Sequence, residues 1–487
     1  MTTPARPEDE KLPLATTFGY GLQHILAMFG GVIAVPLIIG SAAQLSAADK
    51  VLLVSCCLFV GGAATLLQTL GLPYLGSKLP LVQGVSFATV ATMLAIIGTD
   101  GRDGLRTVYG AVIVASVIGF LLVPIFGRML RFFPAVVTGS VITVIGLSLM
   151  PVAAGWITGQ KTTMVNGTAT PNPDYLNPGD IGLAFFTLGA IVLLAKSRKL
   201  ARMAILLGLV IGTLVAAAFG KVSTSAIGSA GIVAVPQPFA FGMPLFEIGA
   251  IVSMTIAILV IMVETTADVL AVGEVVGTEV DSRRVGDGLR ADLASSALSP
   301  VFNSFPATAF AQNVGLVAIT GIKSRFAVAA GGAVLLVLGL SPIASAVVGM
   351  IPTAVLGGAG IALFGTVAAS GIRTLGKVAY DGTNNLIVVA IAIGAGLIPV
   401  VKTDFWHRFP SWFETIFHSG ISTTAIVAVV LNIVFNMIGG GRKAGSTLAT
   451  APALQVTDVE MRVLAEGGAF ESGQVVRVRP VKEPERD

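Results

Sequence analysis

Apolar runs of about 15–25 residues recur along the whole chain, each long enough to cross a bilayer as a helix. They fall near 18–40, 51–71, 79–98, 107–126, 131–150, 180–195, 201–219, 247–276, 287–301, 306–321, 326–349, 351–370, 384–400 and 419–438. Inside lipid the backbone must satisfy its own hydrogen bonds, so runs of this length fold as helices. Only 11% of the 487 residues are charged and the mean hydropathy is +0.89, whereas a soluble domain carries roughly 25% charged residues. The chain is therefore predicted to be an all-α polytopic membrane protein with fourteen transmembrane segments. Its 58 glycines supply small faces on which helices pack in lipid. The adjacent Cys56 and Cys57 read in the same way, as packing residues and not as a disulfide or metal site. The polar stretch Met1–Leu12 carries both signs of charge and does not read as a cleavable signal peptide.

Orientation follows from the basic residues. With the N-terminus inside, the inner loops hold fourteen of them, from Lys78, Arg128 and Arg131 through the Arg283, Arg284, Arg290 group to Arg373 and Lys377. The outer loops hold seven: Lys50, Arg102, Arg106, Lys161, Lys221, Lys402 and Arg408. That asymmetry places both termini in the cytoplasm. It also accounts for the net charge of +4 without nucleic acid, since no basic cluster is interleaved with exposed aromatics. Pro124, Pro134 and Gly139 recur as Pro342, Pro352 and Gly357, each displaced by 218 residues. A repeat unit of seven spans is odd-numbered, so its second copy sits upside down, and interrupted spans in corresponding places point to a midplane binding site. The loop 151–179 is polar and contains the glycosylation sequon Asn166-Gly167-Thr168, relevant only in a secretory pathway. The segment 439–487 reads as a charged cytoplasmic tail without a catalytic role.

Five places break the apolar pattern: Gln23-His24, Gln83 to Phe87, Glu264 with Asp268, Asp292, and Gln312-Asn313. Lipid offers an amide no partner, so Gln312-Asn313 should face a protein-lined cavity. A Gln side chain presents a donor beside an acceptor, which suits the N–H/C=O edge of a purine-dione. Glu264 and Asp268 lie four apart and share a helix face. Buried carboxyls of this kind either hold and release a coupling proton or knit discontinuous helices together. His24 admits two readings as well, a functional one and a polar pin for the third span. Phe87 and Phe310, beside Ser86 and Gln312, are candidates to sandwich a flat ring, with Ala311 a further substrate-site candidate, although most of the 25 phenylalanines simply face lipid or core. His407 and His418 sit in an outer loop, where interfacial anchoring is the simpler account. No Walker loop, dinucleotide fingerprint, zinc spacing or nucleophile elbow occurs, so an ATP-driven pump or a membrane enzyme lacks its parts, and no cofactor or metal is expected.

The string Gln312-Asn313-Val314-Gly315 followed by Thr320 resembles the signature of the nucleobase–ascorbate transporter family, in the form seen in its xanthine and uric acid branch. Gln23-His24, Glu264-Thr-Thr-Ala-Asp268 and Ala291-Asp292 resemble the family's motifs in the first, eighth and ninth spans. The resemblance implies a purine permease driven by protons. It implies that Glu264 accepts purine N–H groups, that Gln312 bonds the opposite edge, and that Asn313 shapes the site. By the same likeness Asp268, Asp292, His24 and Gln23 support the site and its proton coupling. Asp268 stands where uracil carriers resemble one another in having His. Ser86 stands where xanthine-specific relatives resemble one another in a bulkier Asn, which leaves room for the 8-oxo group of uric acid. The fold implied is a seven-plus-seven inverted repeat in the cell membrane, assembled as a homodimer. It comprises a cytoplasmic segment 1–17, a core domain of 18–126 and 247–350, a gate domain of 127–246 and 351–438, and the tail 439–487. Spans 3 and 10 would be broken, each with a short extended segment. The rival readings are a uracil or other nucleobase permease, an anion transporter of the same architecture, and a channel or non-transporting membrane sensor.

Overall fold

The computed structural model describes residues 6–98, 100–159, 161–165, 168–197, 200–222, 231, 233–438, 469–471 and 474–476. At Ala311 and Gln312 it describes the helix backbone but not the side chains. Asn166 and Gly167 of the sequon, the basic Arg198 and Lys199, and most of the expected tail lie outside the described residues.

The first half of the chain runs α1 (Leu14–Ala42), α2 (Ala47–Leu70), β1 (Gln83–Val85), a 3-10 turn (Phe87–Thr89) leading into α3 (Val90–Ile97), and α4 (Arg102–Met129). It continues with α5 (Ala135–Ser148), α6 (Met150–Thr158), the hairpin β2 (Thr162–Val165) and β3 (Thr168–Pro171), α7 (Pro178–Lys196) and α8 (Ala204–Ala218). The second half runs α9 (Ile248–Val276), α10 (Ser282–Leu298), β4 (Ala307–Ala309), α11 (Ala311–Thr320), α12 (Arg325–Gly339) and α13 (Pro342–Gly349). It ends with α14 (Thr353–Leu375), α15 (Asn385–Val401), the short α16 (Ser411–Phe417), and α17 (Gly420–Asn432), which runs on as a π turn over Ile433–Ile438. In a separate unit, Thr447–Asp487, Ala469–Glu471 pairs antiparallel with Gln474–Val476.

Among the described residues eight helices are long and apolar enough to cross a membrane, or nine counting one bent pair. The fold is thus a helical polytopic membrane fold. Two runs differ from expectation. The run 326–349 is not one straight helix: α12 and α13 meet at 84°. Pro342 opens α13 and cannot donate back to the turn before it, so the helix stops at Gly339 and restarts under a Ser341 cap. The fifth run does not end at 150, because α6 carries it to Thr158 and shortens the polar loop to a hairpin with flanking turns.

Two sets of neighbours organise the packing. Helices α1, α2 and α12 lie together, with α4 against α9 and α10. Separately, α14 packs on α5, α6, α7 and α8, and α15 and α17 pack on α5. Contact within each set is backbone-close. A methyl group on Gly62 of α2 would lie 2.6 Å from the Gly332 carbonyl of α12, so no larger residue fits there.

The segment before α1 is tied down by charge. Glu8, almost wholly buried, pairs with Arg284 at 2.5 Å and Asp9 with Arg325 at 2.6 Å. Arg284 also donates to the carbonyls of Ser77 (2.7 Å) and Lys78 (3.1 Å), and Arg325 to that of Thr69 (2.8 Å). These two arginines therefore fasten the N-terminal segment to the end of α2 and to the approach to β1. Around α16, Trp406 is ringed by Phe405, Phe409, Phe413 and Phe417, with His407 at 3.3 Å from Glu414. Burial pushes the His418 imidazole below its ordinary range.

Candidate substrate site

Two short extended segments meet inside the protein. β1 and β4 pair antiparallel, with Gln83 opposite Ala309, Gly84 opposite Thr308 and Val85 opposite Ala307. Bonds from Ser86 N–H to the Pro306 carbonyl (2.9 Å) and from Phe310 N–H to the Val82 carbonyl (3.1 Å) extend the ladder at both ends. Pro80 and Pro306 lie just before the strands, where a missing N–H and a fixed φ favour extended chain over helix. Each strand then opens a short helix. Ser86 caps the first, its Oγ accepting from Ala88 N–H at 3.1 Å. The second, α11, starts at Phe310 without a side-chain cap. Asn313 N–H donates to the Phe310 carbonyl at 2.9 Å, and the N-terminal end of the helix carries partial positive charge.

The surrounding helices hold this crossing in place. Thr65 of α2 accepts from Gln83 N–H at 2.9 Å, and Ser296 of α10 accepts from Ala307 N–H at 3.0 Å. Asn313 clamps the segment before β1: its Oδ1 accepts from Val82 N–H (2.9 Å) and its Nδ2 donates to the Pro80 carbonyl (2.7 Å). Both ends of the Asn313 amide are therefore engaged with backbone.

The aromatic candidates do come together. Phe87 and Phe310 lie with ring centroids 6.4 Å apart, but at 74° to each other. A flat ligand between them needs near-parallel faces at roughly twice the ~3.5 Å contact distance, so one ring must turn to admit it. Phe310 covers Gly84, where a Cβ would stand 3.0 Å from Cζ of the ring, and a Cβ on Gly31 of α1 would stand 3.0 Å from its Cε1. Phe364 of α14, which sequence reasoning missed, meets Phe87 edge-on at 6.1 Å, with Trp156 behind it at 6.4 Å.

The acids form a second group beside the crossing. Glu264, Asp268 and Asp292 lie within electrostatic reach of one another. Glu264 is partly exposed, whereas Asp268 and Asp292 are buried. Asp292 Oδ2 accepts from the Thr265 hydroxyl at 2.6 Å, and its Oδ1 has no partner among the described residues. Asp268 Oδ2, His24 Nδ1 and both amide atoms of Gln83 are likewise buried without partners among the described residues. Gln23 is partly buried on α1. Unpaired polar atoms in an apolar interior are costly, so each of these atoms calls for a polar partner that the described residues do not supply.

Comparison with known proteins shows the family. A family model described as "Permease family" (Xan_ur_permease) matches residues 15–405. The chain is 40% identical to the uric acid transporter UacT of Escherichia coli (strain K12), covering 85% of each chain. It is 39% identical to the xanthine permease of Bacillus subtilis (strain 168), over 88% of this chain and 95% of that one. Among solved structures it is similar in fold to the transmembrane domain of a cyanobacterium bicarbonate transporter, BicA. The TM-score is 0.58 at 17% identity, covering 88% of this chain and 100% of that one. The chain is a transporter, not an enzyme, and belongs to the nucleobase–ascorbate transporter family of permeases.

Proposed function

We propose that the protein is a proton-coupled permease for uric acid, with xanthine as a second substrate, working by alternating access in the cell membrane. The observation that carries this reading is the partly exposed Glu264 beside buried Asp268 and Asp292, next to the β1–β4 crossing that bears Phe87 and Phe310. On this reading Glu264 accepts purine N–H groups, and Gln312 with Ala311, at the open N-terminus of α11, meets the carbonyl edge. Ser86 leaves room for the 8-oxo group. Asn313 supports the site from behind, and Asp268, Asp292, His24 and Gln23 serve proton coupling.

The same reading takes the chain as fourteen spans in two inverted repeats of seven, with both termini cytoplasmic. Eight full spans, the bent pair, the three shorter apolar helices 87–97, 204–218 and 385–401, and α10 and α11 supply that number. The packing of α1–α4 with α9–α12, and of α5–α8 with α14, α15 and α17, is what a core domain and a gate domain would give, with α16 resting on α9 and α8 on α1 between them. Residues 18–126 and 247–350 would form the core, and 127–246 and 351–438 the gate. A homodimer through the gate domains belongs to this reading, and light scattering of the detergent-solubilised protein tests it, a monomer being the contrary outcome.

One charge crossing the membrane yields roughly 2.3 kcal/mol per 100 mV, enough for an approximately forty-fold gradient. Collapsing both the pH gradient and the potential is expected to abolish accumulation of labelled urate. Uptake unaffected by that treatment would exclude proton coupling. Glu264→Gln is expected to lose uptake while remaining in the membrane, and normal uptake by it would remove Glu264 from the site.

A further inference from the structure

Threonines in these spans mostly bond backward to their own helix. Thr266 donates to the Met262 carbonyl, Thr255 to Ile251 and Thr213 to Leu209, each at 2.7 Å, the usual way a hydroxyl is satisfied in an apolar helix. Thr265, the residue after Glu264, does not. Its hydroxyl leaves the helix, donates to Asp292 Oδ2 at 2.6 Å and lies 3.3 Å from the Thr308 hydroxyl. Both threonines are buried, and in the second contact either oxygen can be the donor. Thr308 stands opposite Gly84 in the β1–β4 ladder, and Gly84 in turn lies against the Phe310 ring.

We propose that Thr265 and Thr308 form a hydroxyl bridge that carries the protonation state of Asp292 to the substrate-facing strand β4, which makes Thr265 a positioning residue of transport. The inference rests on the proton-coupled reading above. When Asp292 is a carboxylate, the Thr308 hydroxyl donates to Thr265, and Thr265 donates to Oδ2. A proton arriving at the unpartnered Oδ1 removes the charge and weakens the bond at Oδ2. Thr265 then turns its hydrogen to Thr308, and Thr308 must find another acceptor. Neither threonine gains or loses a proton; only the direction of donation reverses. The strand that changes partners is the one leading into Phe310 and Gln312.

Other charges facing Asp292 are few. From α9 they are Glu264 and Asp268, and on its own helix Arg290 is paired with Asp287 at 2.6 Å. Among the described residues of α2, α4 and β4, also packed against α10, no other charge acts on it.

The test is the KM for labelled urate at a series of external pH values, in wild type, T265V, T265S and T308V, with urate counterflow alongside. The wild-type KM is expected to rise with pH, as protonated carrier becomes scarce. T265V is expected to give a KM that no longer changes with pH, with about tenfold lower net uptake at acid pH and counterflow retained. T265S should behave as wild type. T308V, which leaves the Thr265–Asp292 bond in place, should flatten the profile as well, and it decides the matter if T265V fails to reach the membrane. A T265V or T308V profile that follows wild type overturns the bridge, as does a T265S protein as impaired as T265V. A wild-type KM independent of pH would instead overturn the proton-coupled reading, before any variant is compared.

Discussion

Of the neighbouring amides Gln312 and Asn313, Asn313 is committed to the protein backbone at both ends of its side chain. Asn313 bonds Val82 N–H and the Pro80 carbonyl, residues 231 and 233 positions away. No pattern local to Asn313 announces such a partner, so the sequence could say that an amide here must be satisfied but not by what. Asn313→Ala leaves a buried N–H and a buried carbonyl unpaired, at a cost of about 2–4 kcal/mol. The expected outcome is a clearly lower melting temperature of the purified protein in detergent, with urate uptake reduced. A melting temperature equal to wild type would mean that the clamp is replaced by water or carries no weight. Glu264 and Asp292 were legible as polar residues at membrane depth. The bond from Thr265 to Asp292 was not, because a threonine in an apolar helix ordinarily bonds its own turn.

At the scale of elements, helices of 23–29 residues such as α1, α9 and α14 follow directly from their apolar runs. The three-residue strands β1 and β4 are too short to show a period of two. What pointed to them was the family resemblance, which implies a short extended segment in each of spans 3 and 10. The 84° bend between α12 and α13 was hidden for a related reason, since hydropathy is blind to direction while Pro342 and Gly339 are not. Gly84 gives this scale its test. A methyl group there meets the Phe310 ring, closest at Cε2, with Cζ at 3.0 Å and Cδ2 at 3.3 Å, and overpacking of that kind costs about 1–3 kcal/mol. Gly84→Ala is expected to weaken urate uptake by roughly tenfold or more, with the protein still in the membrane. Unchanged kinetics would show that Phe310 swings freely and does not hold the ligand against β1.

Across the whole molecule, the composition, the number of apolar runs and one ten-residue string were enough to reach the family. The fastening of the N-terminal segment was not foreseen, because Glu8 and Asp9 look like any polar terminus until Arg284 and Arg325 are placed beside them. Removing one partner of a buried ion pair costs several kcal/mol, so Glu8→Ala is expected to lower stability by about 3 kcal/mol. Arg284→Ala should lower it further, since it also frees the Ser77 and Lys78 carbonyls at the approach to β1. Thermal unfolding of both variants in detergent checks this, and wild-type midpoints would reduce the clasp to an incidental contact. The central claim, that this architecture carries purines chosen by the groups around β1 and β4, is met most directly by radiolabelled uptake. The cells should lack their own purine carriers and receive urate, xanthine and uracil in parallel. Saturable urate uptake that xanthine competes with, and no uracil uptake, is the expected result. Uptake of uracil alone, or of none of the three, would contradict the account.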